Sequence, residues 1–388
     1  MVFSCNDCCR SISGFDARCP KCGGVISYEN VEATTLSNAI SGNPWTATPA
    51  VERRISMGEG ETSLIKLEAV SNRLSVDVYA KLESLNPTCS FKDRGSSLLV
   101  SVVADSATSY EGVVVASTGN TASSVAAYAA RADIPCAVLL PDNTGSAKVA
   151  QAAEHGVEVF SVDGSFSDCF ELAQSVAGDR ILNATAVYSA NPLVKTANRT
   201  VAFELAAAMN MAPDWVSVPV GAGPLLGGIH SGFQELTDAN LIDRLPRQLC
   251  VQARGCHPIV DAFEHNRQVE AWDGPITTDI GAIADPLQGY AADGEHTRQA
   301  VLDSNGTAIA LSDETVFEWQ HRLAELEGIY AEPASAASIA ALAESPAVRK
   351  DETAVALVTG HGLKEPAEAA ESPVQSASEG AVRETLLS

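Results

Sequence analysis

The hydrophobic positions between about residues 60 and 365 fall into short, continuous apolar runs separated by longer alanine-rich stretches. The runs have the length and β-branched content of buried strands. They are GVVVAS (112–117), CAVLLP (136–141), VEVFSV (157–162), WVSVPVG (215–221), CVQARG (250–255) and TAVALVTG (353–360). Stretches between them, such as TASSVAAYAARA, predict helices. This alternation predicts βαβ crossovers and an α/β fold with mostly parallel sheet.

Polar and glycine-rich loops follow three of the predicted strands. STGN (117–120) follows GVVVA, GAGPLLGG (221–228) follows WVSVPV, and TGHGLK (359–364) follows TAVALV. Ligands of parallel sheets bind beyond the carboxyl ends of the strands. We therefore expect the three loops to contribute to one site.

The composition indicates a soluble protein. The chain has 388 residues, 46% of them hydrophobic, which suffices for two or three domains with buried cores. The chain has no apolar run of about 18 residues or more, so no membrane-spanning helix is predicted. The N-terminus MVFSCNDCCR lacks the basic and then apolar pattern of a signal peptide, so we expect a cytoplasmic location.

The charge balance is strongly acidic, with 49 acidic against 25 basic residues and a net charge of −24. Such a field repels phosphates and excludes sequence-independent nucleic-acid binding. It favours a halophilic protein, because the Debye length falls to about 3 Å at molar salt; an acidic mesophilic protein is the alternative. The final stretch 367–388 is rich in Ala, Glu, Ser and Pro, and it predicts a disordered acidic tail.

Four cysteines near the N-terminus have the spacing of a zinc ribbon. Cys5 and Cys8 form one CxxC pair, and Cys19 and Cys22 form a second pair ten residues later. Two tight turns that each offer two thiolates close a tetrahedral Zn²⁺ site. The spacing therefore predicts structural zinc; a redox dithiol, the alternative, would use one pair within a βαβ unit.

The stretch NPTCSFKDRG (86–95) places a lysine, an aspartate and an arginine together behind Phe91. One interpretation is a solvated surface turn. The other is a working lysine: partial burial and the neighbouring Arg94 would lower the pKa of Lys92, so that its neutral amine can attack a carbonyl group.

Six motifs in order decide between these interpretations. They are MGEGETSLIKL (57–67), YAKLESLNPTCSFKDRG (79–95), ASTGNTASSVAAYAA (116–130), the segment around Asn191 and Pro192, VPVGAGPLLGGI (218–229) and VTGHGLKEP (358–366). Together they resemble the threonine synthase family of fold-type II pyridoxal phosphate-dependent enzymes, over about residues 57–366.

The resemblance implies a fold and a domain organisation. It implies two open, twisted, mostly parallel sheets with flanking helices and, commonly, a homodimer. We expect a zinc-ribbon segment at 1–28, a large cofactor domain formed by 29–98 and 200–366, and a small inserted α/β domain at 99–199.

The resemblance also implies the residues that hold pyridoxal 5′-phosphate. Lys92 is the Schiff-base lysine and acts as acid and base. Asn120 donates to the ring oxygen of the cofactor, and Thr359 lies beside its pyridine nitrogen. The backbone of the glycine-rich loop binds the cofactor phosphate, through Gly221, Ala222, Gly223, Leu225 and Leu226. Glu332 is interpreted as structural packing near the cofactor.

For the substrate, the resemblance implies O-phosphohomoserine, which reacts with water to give threonine and phosphate. The expected substrate-binding residues are Ser117, Thr118, Thr121, Ser189 and Lys195. The family's phosphate-binding motif Asn-Ser-x-Asn-Pro-x-Arg is here YSANPLV (188–194), so Val194 replaces the arginine and the adjacent Lys195 is its expected substitute. The glycine–leucine loop is closer to that of serine and threonine dehydratases, which leaves a dehydratase or a β-replacement enzyme as the alternative.

Overall fold

The strands form three sheets in the computed structural model, which describes residues 2–6, 8–13, 18–28, 31–105, 107–142, 144 and 146–365. The predicted tail at 367–388 lies outside the described residues. The strands are β1 Val2–Cys5, β2 Ser11–Ser13, β3 Ile26–Ser27, β4 Leu64–Lys66, β5 Asp77–Lys81, β6 Gly112–Ala116, β7 Cys136–Pro141, β8 Glu158–Val162, β9 Ile181–Asn183, β10 Trp215–Pro219, β11 Arg247–Ala253, β12 Thr307–Leu311 and β13 Thr353–Leu357.

Thirteen α-helices accompany these strands in the described residues. They are α1 Ala33–Ser41, α2 Glu68–Leu74, α3 Lys92–Val103, α4 Asn120–Ala132, α5 Ser146–Ala153, α6 Phe166–Val176, α7 Leu193–Asn198, α8 Thr200–Met209, α9 Pro224–Asp238, α10 Pro258–Glu264, α11 Ala291–Asp303, α12 Asp313–Glu327 and α13 Pro333–Glu344. Short 3₁₀ helices lie at Pro44–Ala47, Glu83–Leu85, Gly281–Ile283 and Gly362–Lys364.

The two larger sheets confirm the predicted α/β fold. The larger has the order β12-β11-β10-β13-β5-β4, and only β4 in it runs antiparallel to its neighbour. The smaller has the order β8-β7-β6-β9 and is parallel throughout. Parallel strands that are covered on both faces are apolar on both faces, which is why runs such as WVSVP and GVVVA are buried along their whole length.

Helix α13 shows why alanine is so frequent in this core. Its residues from Pro333 to Leu342 are all buried, and it packs against β10 and β13 of the larger sheet. Small side chains let the helix axis approach the sheet closely, so the polar and charged groups at its first turn are held near the ends of these strands. This arrangement places Glu332, the N-cap residue, beside the loop that follows β13.

The predicted division of the chain stays a prediction, but one of its limits meets a helix. Strands of the larger sheet come from residues 64–81 and 215–357, and those of the smaller sheet from 112–183. The predicted limit between residues 98 and 99 falls inside α3, which packs against α4 and α7. Because the hydrogen bonds of α3 continue across this point, a limit before Lys92 fits the structure better.

The N-terminal segment forms the third sheet, with the order β2-β1-β3 and antiparallel pairing. No helix in the described part of the chain is long and apolar enough to cross a membrane.

Candidate active site

A cavity of about 540 Å³ lies at the carboxyl ends of β6, β10 and β13, where the three predicted loops meet. The sequence-predicted residues that line it are Lys92, Ser117, Thr118, Asn120, Thr121, Gly221, Gly223, Leu225 and Thr359. Ala222 and Leu226 belong to the same glycine-rich loop and are buried behind its surface. The topology therefore brings most of the predicted site into one place.

Lys92 is the first residue of α3 and lines the cavity. Burial lowers the pKa of its amine to about 8, although the carboxylates of Asp285 and Glu332 oppose this shift. Its Nζ lies 4.3 Å from the ring centre of Phe91. An amine with this pKa is partly neutral near pH 8, which is what an attack on a carbonyl carbon requires.

The two residues after Lys92 are buried, so the surface-turn interpretation is wrong. Asp93 and Arg94 are both 0% exposed. The Asp93 carboxylate accepts hydrogen bonds from the Thr88 backbone N–H at 2.6 Å and from the Ser124 hydroxyl at 2.5 Å. These bonds join the turn before α3 to α4, and they fix the point from which Lys92 enters the cavity.

Arg94 anchors α3 within a cluster of four buried charges. Its guanidinium donates to both carboxylate oxygens of Glu83 at 2.7 Å and to both of Glu204 at 2.6 and 2.8 Å. The Lys81 ammonium donates to Glu204 at 2.6 Å. The guanidinium and ammonium hold the pKa of Glu204 down at about 2 against its burial. Lys81 and Arg94 thus pair with carboxylates of this cluster, and neither lines the cavity.

The loop after β10 has the form of a phosphate cradle. Gly223 has φ +101°, and a Cβ on it would lie 2.0 Å from the hydroxyl oxygen of Thr297. Two hydroxyls hold the loop from behind: Thr297 donates to the Ala222 carbonyl at 2.7 Å, and Tyr188 donates to the Gly223 carbonyl at 2.9 Å. Because the carbonyls point backwards, the amides of the loop and of the first turn of α9 are free for an anion. These residues fit the phosphate of pyridoxal phosphate.

Two further predicted cofactor-binding residues, Asn120 and Thr359, line the cavity. Asn120 opens α4, and its side-chain amide donates to both carboxylate oxygens of Glu332 at 3.0 Å. The hydroxyl of Thr359 lies 3.0 Å from that of Ser335, and neither group carries a formal charge. Glu332 is thus a cavity residue with a polar partner, whereas the sequence indicated structural packing.

The comparisons with known proteins agree with this geometry. Residues 55–360 match the model of the family described as pyridoxal-phosphate dependent enzyme. The chain belongs to this family. It is 38% identical to the threonine synthase of Mycobacterium tuberculosis (strain H37Rv) over 331 residues, which are 84% of this chain and 86% of that protein. It is also 38% identical to the threonine synthase of Methanocaldococcus jannaschii over 320 residues, 80% of this chain and 77% of that protein.

Solved structures of other proteins share the fold. Maize serine racemase superposes with a TM-score of 0.69 at 17% identity, covering 91% of this chain and 98% of its own. The processed form of threonine deaminase isoform 2 from Solanum lycopersicum superposes with a TM-score of 0.67 at 20% identity, covering 86% and 91%. The family match and the shared fold together make the chain a pyridoxal phosphate-dependent enzyme of the α/β type, as the alternation of strands and helices predicted.

Asp285 is a cavity residue that sequence reasoning missed. It lies in a loop of irregular structure, where neither periodicity nor a motif signals a function. Its carboxylate accepts hydrogen bonds from the Tyr290 hydroxyl at 2.8 Å and from the Leu287 backbone N–H at 2.9 Å. Burial raises its pKa, which Lys92 partly opposes. Asp285 is thus, with Glu332, one of two carboxyl groups that act on Lys92.

Lys364 is a second cavity residue that sequence reasoning missed, although it ends the motif TGHGLK (359–364), which was predicted to contribute to the site. It lines the cavity, and its ammonium donates to the Thr88 carbonyl at 2.9 Å and to the Ser123 hydroxyl at 3.2 Å. Burial lowers its pKa, and Glu332 is the strongest opposing charge. Lys92 and Lys364 are the lysines among the described residues that line the cavity, and none of those residues is an arginine.

The structure does not bring Ser189 and Lys195 to the cavity, contrary to the expectation from sequence. The Ser189 backbone N–H and hydroxyl donate to Asp293 at 2.9 and 3.0 Å. The Lys195 ammonium donates to the Ser27 hydroxyl at 2.9 Å. Ser189 thus binds α11, and Lys195 binds the N-terminal segment.

Val194 occupies the position of the expected arginine. It is buried and packs 3.6 Å from where a Cβ on Gly95 of α3 would lie. The nearby Arg199 forms an ion pair with Glu235 at 3.0 Å and donates to the Ala47 carbonyl. The positive charges that follow Val194 in sequence are therefore used to hold chain segments together.

The four N-terminal cysteines come together as predicted. The sulfur atoms of Cys5, Cys8, Cys19 and Cys22 all lie within 4.8 Å of one another. Burial opposes ionisation of Cys19, but backbone N–H groups of Lys21 and Cys22 lower its pKa to about 6. Four thiols at this separation, with one that ionises readily, fit the ligand set of Zn²⁺.

Proposed function

We propose that the protein is a threonine synthase, which converts O-phosphohomoserine and water to threonine and phosphate. The observation that carries the proposal is the 38% identity to curated threonine synthases over 84% of the chain. Residues 55–360, which match the family model, include the cavity loops with Lys92, Asn120 and Thr359. The cavity geometry supports the assignment because the loops present a lysine amine, a side-chain amide, a glycine-rich backbone and a threonine hydroxyl, the groups that hold pyridoxal phosphate in the resemblance.

The cavity residues would hold pyridoxal phosphate in one orientation. The amides of Gly221, Ala222, Gly223, Leu225 and Leu226 would bind its phosphate, Asn120 its ring oxygen and Thr359 its pyridine nitrogen. When bound, the cofactor supplies an electron sink for carbanions at the substrate. A hydroxyl beside the nitrogen, rather than a carboxylate, favours elimination and replacement over transamination.

Lys92 would transfer the protons of the reaction. Its amine, with a pKa lowered to about 8 mainly by burial, can accept the proton from Cα, pass it on, and then accept the proton from Cβ; protons return to Cγ and Cα as threonine forms. Phosphate leaves when the Cγ–O bond breaks, and water adds at Cβ. The substrate carboxylate would bind at Ser117, Thr118 and Thr121, where α4 begins and its free backbone N–H groups favour an anion.

Lys364 is the described cation best placed for the substrate phosphate. It lines the cavity, whereas Ser189 and Lys195 do not. Its hydrogen bonds go to neutral oxygens of Thr88 and Ser123, so its charge is not consumed by a direct ion pair with either. We assign to Lys364 the binding of the substrate phosphate, for which the threonine synthase family uses the arginine of its motif.

A dehydratase acting on serine or threonine, or a β-replacement enzyme, is the second candidate. The observation that favours it is the charge of the described cavity lining, where Asp285, Glu332 and Glu365 outnumber Lys92 and Lys364. An acidic wall disfavours a dianionic phosphate.

The two candidates differ in product. The holoenzyme is offered O-phosphohomoserine in one assay, and threonine or serine in the other. Threonine formation in the first assay supports the proposal. Keto acid from threonine or serine, with no phosphate released in the first assay, would support the dehydratase.

We further propose that the cysteine cluster holds structural Zn²⁺. Its four sulfur atoms fill a tetrahedral ligand set, so no coordination position is left open for catalysis. The metal would then contribute to the stability of the N-terminal sheet, since β1 and β3 flank the ligands.

The net charge of −24 supports another proposal, that the enzyme is halophilic. Self-repulsion weakens as salt screens it. The Tm should rise between dilute buffer and molar KCl, and a Tm that is flat or falling would contradict the proposal.

Assembly and location also remain proposals. We propose a cytoplasmic homodimer that acts on a small amino-acid substrate. None of the ten cysteines, all of which lie in the described residues, forms a disulfide, as is usual in a reducing compartment. Light scattering and cell fractionation test the two proposals, and a monomeric mass or a secreted protein would contradict them.

A further inference from the structure

Asp293 is a fully buried carboxylate on the helix that supports the cofactor-phosphate loop. It belongs to the first turn of α11 and is 0% exposed. Burial raises its pKa to about 6, so it is largely ionised at neutral pH. One oxygen, Oδ2, accepts both hydrogen bonds from Ser189, while Oδ1 has no hydrogen-bond partner among the described residues.

The cation that faces the second oxygen comes from the cysteine cluster. Arg18 directly precedes Cys19, and its Nη2 lies 3.6 Å from Asp293 Oδ1. Its other terminal nitrogen, Nη1, donates to the Gly23 carbonyl at 3.1 Å, just beyond Cys22. Arg18 and Gly23 therefore flank the second pair of cysteines, and their hydrogen bond holds the guanidinium toward α11.

Two short chains of contacts lead from Asp293 to the cofactor-phosphate loop. Thr297, one helical turn after Asp293, donates to the Ala222 carbonyl at 2.7 Å. Tyr188, next to Ser189 in sequence, donates to the Gly223 carbonyl at 2.9 Å. Gly223 has no space to shift toward α11, since even a Cβ would overlap Thr297. A displacement of Asp293 would thus move the supports of the loop.

The charge of Asp293 matters for the same loop. A buried carboxylate that lacks a cation is costly, and its field is weakly screened by the protein around it. Near a site for a phosphate dianion, such a charge disfavours the ligand. A cation on the far side of the carboxylate cancels this field without touching the ligand.

We propose that Arg18 is a positioning residue for the cofactor: from the cysteine cluster it neutralises Asp293 and so maintains the phosphate loop for pyridoxal phosphate. This inference rests on the cofactor site of the proposed function and does not depend on the substrate. It gives the N-terminal segment a role in cofactor affinity. It also explains why Ser189 faces away from the cavity, since Ser189 holds the carboxylate that Arg18 neutralises.

The experiment is a double-mutant cycle on the full chain. Arg18→Gln, Asp293→Asn and the double variant are prepared as apoenzymes and titrated with pyridoxal phosphate, without substrate, at one fixed salt concentration. The visible absorbance of the bound cofactor gives the Kd, and its ³¹P resonance reports the phosphate environment. Arg10→Gln, which removes an exposed arginine from the same segment, is the matched control.

The cycle has a distinctive expected result. Arg18→Gln alone weakens cofactor binding about five- to tenfold, a usual size for coupling between sites, and shifts the ³¹P resonance. Asparagine keeps the acceptor for Ser189 but carries no charge, so Asp293→Asn changes the Kd by less than about twofold and removes the effect of Arg18→Gln. Arg10→Gln leaves the Kd unchanged.

Three results would overturn the proposal. The first is an unchanged Kd for Arg18→Gln; the second is an equal loss from Arg18→Gln whether Asp293 is intact or replaced by asparagine; the third is an equal loss from Arg10→Gln. If Arg18→Gln alone fails to fold, the double variant decides: the proposal expects it to fold and to bind the cofactor as Asp293→Asn does, and a double variant that also fails to fold contradicts it.

Discussion

The side-chain amide of Asn120 donates to both carboxylate oxygens of Glu332 at 3.0 Å, which joins the first residue of α4 to the N-cap of α13 across the cavity. One residue follows a strand of the smaller sheet, and the other leads into a helix packed on the larger sheet. The bond therefore ties the two halves of the site together at the point where the ring oxygen of the cofactor is expected. It also holds a negative charge near Lys92.

Cofactor loading should follow the ionisation of Lys92. Its pKa is about 8 instead of 10.5, and only the neutral amine attacks the cofactor aldehyde. The loading rate of the apoenzyme should therefore rise with pH, reach half its maximum near pH 8 and level off above it. Stopped-flow absorbance over a pH series measures this profile. A rate that continues to climb beyond pH 10 would show an ordinary lysine.

Removing the charge of Glu332 should shift the pKa of Lys92 and with it the pH profile of cofactor loading. Glu332 raises the pKa of Lys92, so Glu332→Gln should move the midpoint of the loading profile to lower pH. Glu365→Gln is the control, because Glu365 also lines the cavity but is not among the charges that shift Lys92. An upward shift, or equal shifts in both variants, would contradict this account.

Arg94→Leu should be strongly destabilising. It leaves the buried carboxylates of Glu83 and Glu204 without their shared cation, which typically costs about 3–5 kcal/mol of the free energy of unfolding. Urea unfolding of the apoenzyme at constant KCl measures the loss. The control is Arg180→Ala, whose ion pair with Glu111 is exposed, at 70% and 60%, and should contribute less than about 1 kcal/mol. Similar losses in both variants would argue against the buried cluster.

The zinc content of two variants should show that Cys8 is a metal ligand and that the adjacent Cys9 is not. Cys8 belongs to the group of four sulfur atoms, whereas its neighbour Cys9 is exposed and outside that group. Cys8→Ser should lose the equivalent of zinc that the unmodified protein carries, and Cys9→Ser should keep it. Elemental analysis of the purified proteins decides this. Equal zinc in both variants, or none in the unmodified protein, would disprove the ligand set.

Lys364→Met should weaken the binding of O-phosphohomoserine. Loss of a charge-assisted contact to the substrate phosphate costs about 1.5–3 kcal/mol, so KM should rise roughly ten- to a hundredfold. Cofactor loading should change little, because the phosphate loop is formed by other residues. Lys66→Met, which removes a surface lysine paired with Asp77, is the control. An unchanged KM for Lys364→Met would place the substrate phosphate elsewhere.

The parts of the site that the sequence predicted are local in character. Lys92, Asn120, Gly223 and Thr359 each lie in a loop next to a strand or helix whose pattern is readable, and parallel topology brings such loops together. The α/β fold was predictable for the same reason, because the short apolar runs of the strands and the alanine-rich helices differ in their local sequence patterns.

The parts that sequence reasoning missed depend on packing between distant segments. Ser189 and Lys195 lie in a motif, but their directions are set by Asp293 and by Ser27 of the N-terminal segment. Asp285 lies in an irregular loop, where no period reveals which side chain turns inward. Such directions depend on single-residue shifts of register that a pattern of apolar positions does not record.

The most direct test of the central claim is the reaction of O-phosphohomoserine in ¹⁸O-labelled water. If phosphate leaves by cleavage of the Cγ–O bond and water adds at Cβ, mass spectrometry should find the label in the threonine hydroxyl and none in the released phosphate, with the two products formed in equal amounts. Lys92→Ala should form neither. Label in the phosphate together with homoserine would reveal simple ester hydrolysis, and it would contradict the assignment of this cavity as a threonine synthase site.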